Sequence, residues 1–322
     1  MYALGNIAPL LLVGLALMVA ATLAHRRWSN STAARAWRKS HAPGADGVLL
    51  GAHSIALDGD SRAVLLLHGF GDTPQSVAKL AAELCRRGFT VRAPLLPGHG
   101  RSLDAFRRSR AKEWLAATAR ARDEIADSHA QLFIVGVSMG GALAAWLAQD
   151  TALPRTAGES PIAETSVSRN APDAVVLLAP YLDLPSSGRF WTRIWPIWSL
   201  WRPWVAGDAA ASIRDPSARE ESLGYGSSTP RVLYELRRVV ELGGAATPQL
   251  RAPTLAIFSM GDYRIPEDAA RLAFDRIGAT VKEVLWVERS GHVITVDHDA
   301  DLVIERTVAW LERFSRVLPH GF

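Results

Sequence analysis

The residues best able to do chemistry in this chain are Ser138, Asp262 and His292. Ser138 lies at the centre of Gly136-Val137-Ser138-Met139-Gly140, and its flanks give that pattern meaning. Leu132 to Val137 is a short apolar run that reads as a buried strand, and Ala142 to Ala148 is built from strong helix formers. A serine on so sharp a strand-to-helix turn has its hydroxyl pushed out of the sheet, and the helix start behind it favours developing negative charge. The glycines leave room on either side. A serine hydroxyl is a weak nucleophile near neutral pH. It needs a base within reach and a carboxylate to fix the tautomer of that base.

A serine in this strand–turn–helix setting goes with an acid and then a histidine later in the chain. The acid is Asp262, in Ser259-Met-Gly-Asp-Tyr-Arg-Ile-Pro266, directly after a strand; its rival Asp268 falls inside the next helical pattern as a first-turn charge. The base is His292, in Ser290-Gly-His-Val-Ile-Thr295, where Gly291 leaves the imidazole room to turn. His298, in Asp297-His-Asp299, reads as a solvated residue at a helix start. Acyl chemistry also needs two backbone N–H donors for a tetrahedral oxyanion, with one lost donor costing roughly 3–4 kcal/mol of barrier. Met139 supplies one. The turn His68-Gly69-Phe70-Gly71 supplies the other from Phe70, with His68 bracing that loop at the substrate side.

These groups need a scaffold that brings distant loops to one rim. Ala63 to Leu67, Leu132 to Val137 and Ala174 to Ala179 read as buried strands, Thr90 to Ala93, Pro253 to Ser259 and Val281 to Val287 as further strands, with an edge strand at His53 to Leu57. Helical patterns separate them: Pro74 to about Arg87, Lys112 to Asp127, Pro266 to Ile277 and Asp299 to Phe314. The alternation predicts an α/β fold, a mainly parallel sheet with helices on both faces. Gln149 to Pro172, rich in Pro, Ser and Thr, reads as a surface loop.

With 322 residues, 48% hydrophobic and 21% charged, the chain is globular and long enough for one large core domain with a lid. The net charge of +4 is mild and the basic residues are scattered, which argues against nucleic acid as a partner. The one cysteine, Cys85, forms no disulfide within the chain, and no His, Cys and carboxylate cluster has metal-ligand spacing, so neither metal nor cofactor is expected.

Two segments lie outside that scaffold. Ile7 to Ala24 carries no charge and is long enough to cross a bilayer; His25-Arg26-Arg27 follows, and no Lys or Arg precedes it as a cleaved signal peptide would want. Residues 1–27 therefore read as a single-pass anchor, with the basic side, and the catalytic domain, cytoplasmic. Residues 28–47 read as a polar juxtamembrane linker, 48–180 and 251–318 as the core, and 181–250 as a lid. In the lid Trp191, Trp195, Trp198, Trp201 and Trp204 recur every three or four residues, a spacing that on a helix puts them all on one face. They are candidates to line an acyl pocket or to meet the bilayer surface, although Pro196 and Pro203 interrupt the helix.

The motifs His68-Gly-Phe-Gly, Pro97-Gly-His-Gly100, Gly136-Val-Ser-Met-Gly140, Gly261-Asp with Pro266, and Ser290-Gly-His-Val-Ile-Thr together resemble the serine α/β-hydrolases, and within them the carboxylesterase and monoacylglycerol-lipase-like group. The resemblance spans about residues 50 to 315. It implies an α/β-hydrolase fold and hydrolysis of an acyl ester or lipid through an acyl-enzyme, with Ser138 as nucleophile, Asp262 as acid and His292 as base. Acyl transfer with the same residues, or an inactive scaffold on the same fold, are the alternatives. An inert chain has little reason to keep all these groups together.

Overall fold

The computed structural model describes residues 7–40, 42–149, 171–207 and 212–316. The expected surface loop from Gln149 to Pro172 lies, except for its ends, outside them. The chain starts with α1 (Ile7–Ser40), 34 residues in one continuous helix. It therefore runs on through residues 28–40, where the sequence suggested a linker.

The core follows as β1 (Ile55–Leu57), β2 (Arg62–Leu67), α2 (Ala78–Arg86), β3 (Thr90–Ala93), α3 (Leu103–Arg108), α4 (Ala111–Ala126), β4 (Gln131–Val137), α5 (Met139–Leu147) and β5 (Ala174–Leu178). Beyond β5 come two short helices, α6 (Ser186–Arg193) and α7 (Trp195–Trp198), then β6 (Val205–Ala206), α8 (Pro216–Glu221), β7 (Ser227–Ser228) and the long α9 (Pro230–Ala246). The chain returns to the core with β8 (Thr254–Ser259), α10 (Glu267–Asp275), β9 (Lys282–Val287) and α11 (Ala300–Arg313).

The seven-stranded sheet has the order β1-β3-β2-β4-β5-β8-β9; only β1, at the edge, is antiparallel to its neighbour. Strands β2, β4, β5 and β8 are buried almost along their whole length, which is why each reads as an unbroken apolar run. The crossover from β2 to β3 steps one way along the sheet, and every later one steps the other way. Right-handed crossovers then place helices on both faces. Accordingly α2 packs beside α11, while α4, α5 and α9 pack together.

The close fit of α9 on α5 depends on Gly243. A Cβ there would lie 2.7 Å from the Cβ of Ala142. Because β2, β4, β8 and β9 are parallel, the loops after Leu67, Val137, Ser259 and Val287 all leave the same rim of the sheet, where open α/β sheets hold their ligands.

Candidate active site

Ser138 connects β4 to α5 in a left-handed conformation (φ 54°), rare for a residue with a side chain. Its own N–H donates to the carbonyl of Leu178 at 2.9 Å, and its carbonyl accepts from Gly141 at 2.9 Å and Tyr181 at 3.1 Å. The strained turn is thus held by the neighbouring strand end. Gly140 is obligatory here, since a Cβ on it would fall onto the carbonyl oxygens of Leu67 and His68.

The three polar residues expected to converge do so. The Ser138 hydroxyl donates to Nε2 of His292 at 2.7 Å, and Nδ1–H of His292 donates to Oδ2 of Asp262 at 2.7 Å. The direction follows from the acceptor-only carboxylate, which places the proton on Nδ1 and frees Nε2 to act as base. Oδ1 of Asp262 accepts from the N–H groups of Arg264 at 2.8 Å and Ile265 at 3.1 Å. Burial pushes this carboxyl up, but the imidazole and the two backbone donors outweigh it and hold it below the usual carboxylate range. Asp262 therefore stays ionised and keeps the imidazole aligned. The rivals lie elsewhere: Asp268 is exposed in the first turn of α10, and His298 is exposed, 3.9 Å from Asp215.

Ser138 and His292 are only 8% and 5% exposed, yet both line a cavity of about 190 Å³. Phe70 lines it too, after β2. Among the described residues, neither the N–H of Phe70 nor that of Met139 meets an acceptor. The residue after Ser138 and the Phe70 turn thus each carry an unengaged backbone N–H, a donor of the kind that can polarise a carbonyl.

Other expectations need correction. His68 is not on the cavity wall. It is fully buried, with Nε2 accepting from Leu96 N–H at 3.1 Å and Nδ1–H donating to the Gly69 carbonyl at 2.9 Å. Burial pushes its pKa down to about 4, so it is a neutral brace for the Phe70 turn. Nor do Trp191, Trp195 and Trp198 line the cavity over Ser138. Pro196 begins a second helix, so the shared face expected of them never forms. Trp191 is exposed, the indole N–H of Trp198 donates to the Trp191 carbonyl at 2.7 Å, and Trp195 faces a separate cleft with Arg26 and Asn30 of α1.

Sequence reasoning missed cavity residues that no motif marks. Tyr181 lines it beside Ser138; burial pushes its hydroxyl up. Asp72 lines it four positions after His68, and burial pushes its carboxyl up to about 6, against donors from Ser76 and Thr73 and the nearby imidazole of His292. Its place in the Phe70 turn was the one available signal.

Fold and site together define a serine α/β-hydrolase, and comparison with known proteins agrees. The chain belongs to the serine aminopeptidase S33 family of hydrolases, which matches residues 59–299. It is 28% identical over 266 residues to a thermostable monoacylglycerol lipase of Bacillus sp. (strain H-257), covering 83% of this chain and 96% of that one. It is 21% identical over 257 residues to a carboxylesterase of Bacillus subtilis (strain 168), covering 79% and 94%. Among solved structures, a lipolytic enzyme from the metagenome-derived pair LipS and LipT superposes with a TM-score of 0.71 at 28% identity, covering 83% of this chain and 99% of that one. The chain is a hydrolase of the lipase and carboxylesterase type.

Proposed function

We propose that the protein is a membrane-tethered serine hydrolase that cleaves acyl esters, monoacylglycerol-like lipids among them, through an acyl-enzyme on Ser138. The observation that carries this reading is the continuous hydroxyl–imidazole–carboxylate chain, two hydrogen bonds of 2.7 Å each, opening onto the cavity. Ser138 Oγ attacks the ester carbonyl while its proton passes to Nε2 of His292. Asp262 stabilises the imidazolium. The N–H groups of Phe70 and Met139 receive the oxyanion. Collapse breaks the C–O bond, and His292 returns its proton to the departing alcohol. Water then repeats the sequence on the acyl-enzyme and releases the carboxylic acid. The names of the lipase and esterase relatives favour a lipid ester as substrate.

The tether is α1. Among the described residues one helix is long and apolar enough to cross a membrane: Leu11–Arg35, 25 residues, whose apolar stretch has a mean hydropathy of 1.2 and is not buried inside the protein. His25, Arg26 and Arg27 interrupt the apolar stretch on the side of the catalytic domain, which favours a cytoplasmic placement for that domain. Trp28, Trp191 and Trp201 are exposed, and Nε2 of His25 on α1 bonds the Trp201 carbonyl at 3.3 Å. Exposed indoles beside a spanning segment suit the bilayer interface.

A fluorophosphonate probe and a graded series of p-nitrophenyl and glycerol esters, applied to the detergent-solubilised chain, test the assignment. Wild type labels and hydrolyses; Ser138→Ala does neither. Labelling or turnover that survives the substitution removes Ser138 from the mechanism.

A further inference from the structure

Asp297 is a buried carboxylate that the chemistry does not itself require and whose bonds, among the described residues, all come from backbone N–H groups. It is 3% exposed, five positions after His292, and no charged side chain pairs with it. Instead it accepts four backbone N–H groups from two separate parts of the chain. Oδ2 takes Gly291 N–H at 2.7 Å and Arg214 N–H at 2.8 Å; Oδ1 takes Asp215 N–H at 2.8 Å and His298 N–H at 2.9 Å. Gly291 adjoins His292. Arg214 and Asp215 belong to the segment between β6 and α8, inside the insertion between β5 and β8, remote in sequence from the base.

A second bond reinforces the same junction: Val293 N–H donates to the Ser212 carbonyl at 3.0 Å. Ser212, Ile213, His292 and Val293 all line the cavity. The segment from Ser212 to Asp215 is thus cavity wall at one end and partner of the histidine loop at the other. Asp299 anchors the far side of that loop, with Oδ2 accepting from Arg289 N–H and Ser290 N–H at 2.9 Å each. That anchor stays within one loop. Of these two carboxylates, Asp297 is the one that bridges loop and insertion.

We propose that Asp297 is a positioning residue that latches the insertion to the loop carrying His292, so that the base is aligned only while the insertion is seated. The inference rests on His292 being the base. A carboxylate with four amide donors is satisfied only when both partners are in place. If the insertion lifts, the donors of Arg214 and Asp215 leave, the buried carboxylate keeps only Gly291 and His298, and the side chain that holds Gly291 is itself no longer fixed from the other side. Misplacing a catalytic group by about 1 Å costs on the order of 10²-fold in rate. The latch therefore couples cavity closure to competence of the base, without Asp297 touching substrate.

Asp297→Asn in the full chain is the test. The amide keeps one accepting oxygen, but its NH2 group faces two N–H donors, so two of the four bonds fail. Well below the unfolding temperature, kcat on a short soluble ester falls at least 10-fold with KM unchanged, and fluorophosphonate labelling of Ser138 slows by the same factor. A merely structural carboxylate lowers the unfolding temperature and leaves both rates at wild-type values, and that result overturns the proposal. Hydrogen exchange on the wild-type chain decides the matter even if the variant does not fold. The amides of Gly291, Arg214 and Asp215 exchange at one common rate if the latch is a unit; exchange at 214 and 215 more than 100-fold faster than at 291 refutes it. Failure of the esterase reading is separately visible, as probe labelling that persists in Ser138→Ala.

Discussion

At the scale of single residues, Asp262 decides more than its surface suggests. With two backbone donors on one oxygen and the imidazole on the other, its carboxylate has one orientation and one job. Asp262→Asn removes that direction: the amide can donate to Nδ1, which moves the histidine proton to Nε2, where it faces the Ser138 hydroxyl. Loss of kcat is expected on the order of 10³–10⁴-fold at neutral pH with little change in fold. A steady-state assay with circular dichroism as control reads this, and a loss under 10-fold dismisses Asp262 as orienter. The places of the three chemical side chains were legible in sequence because each lies in the loop after a strand, and a strand end followed by Gly or Pro is a local signal. Asp72 and Asp297 were not legible for the opposite reason. What makes them matter is burial and donors supplied from elsewhere in the chain, and nothing in their own neighbourhood spells that out.

At the scale of elements, the central parallel strands β2, β4, β5 and β8 could be read from sequence because both faces are covered and nearly every position is buried. The tryptophan segment could be read in part: Pro196 signalled the break between α6 and α7, but which surface each indole meets is set by packing that spacing does not show. The end of α1 was hidden differently. Polar composition after Trp28 suggested a linker, whereas Trp37, with Ala33 and Asn30, docks the helix on the domain. Trp37 is 7% exposed and stacks on Tyr225 with ring centroids 5.8 Å apart. Tyr225 in turn accepts the N–H of Arg101 at 2.9 Å with its hydroxyl, which donates to the Gly98 carbonyl at 3.0 Å. The last turns of α1 are therefore part of the domain. Trp37→Ala should cost about 3–5 kcal/mol, as for other buried aromatic truncations. Trp28→Ala, at a site 63% exposed, should stay within about 0.5 kcal/mol. Urea unfolding in detergent compares the two, and equal small effects mean that α1 is not docked.

At the scale of the whole molecule, the loops behind the site set how stability answers to acid. His68 and His99 are fully buried, their rings 5.1 Å apart, and residues from distant segments close over them: Phe70 and Phe106 both pack edge-on or tilted near His99, with Trp114 5.5 Å from its ring. Burial lowers His68 to about 4, and burial together with the neighbouring imidazole lowers His99 well below the usual range. In the unfolded chain both titrate near 6.5. As pH falls below that value the unfolded state takes up protons that the native state refuses, and stability drops by about 1.4 kcal/mol per unit for each histidine. Asp72 acts in the other direction. Raised to about 6, it is protonated in the native state before the unfolded one, so acid in the same window favours folding by a similar slope. Asp262 and Asp299, both held low, contribute only as pH falls below about 4 and stay out of this window. Two terms against one leave a net loss of about 1.4 kcal/mol per unit between pH 6 and pH 5. Asp72→Asn removes the opposing term, so the slope should steepen to about 2.7 kcal/mol per unit. Urea midpoints measured across that range in detergent read both slopes. Stability that stays level or rises as pH falls from 6 to 5 would mean that the paired histidines accept protons in the folded protein, and a slope unchanged in Asp72→Asn would mean that the carboxyl in the cavity is ionised throughout.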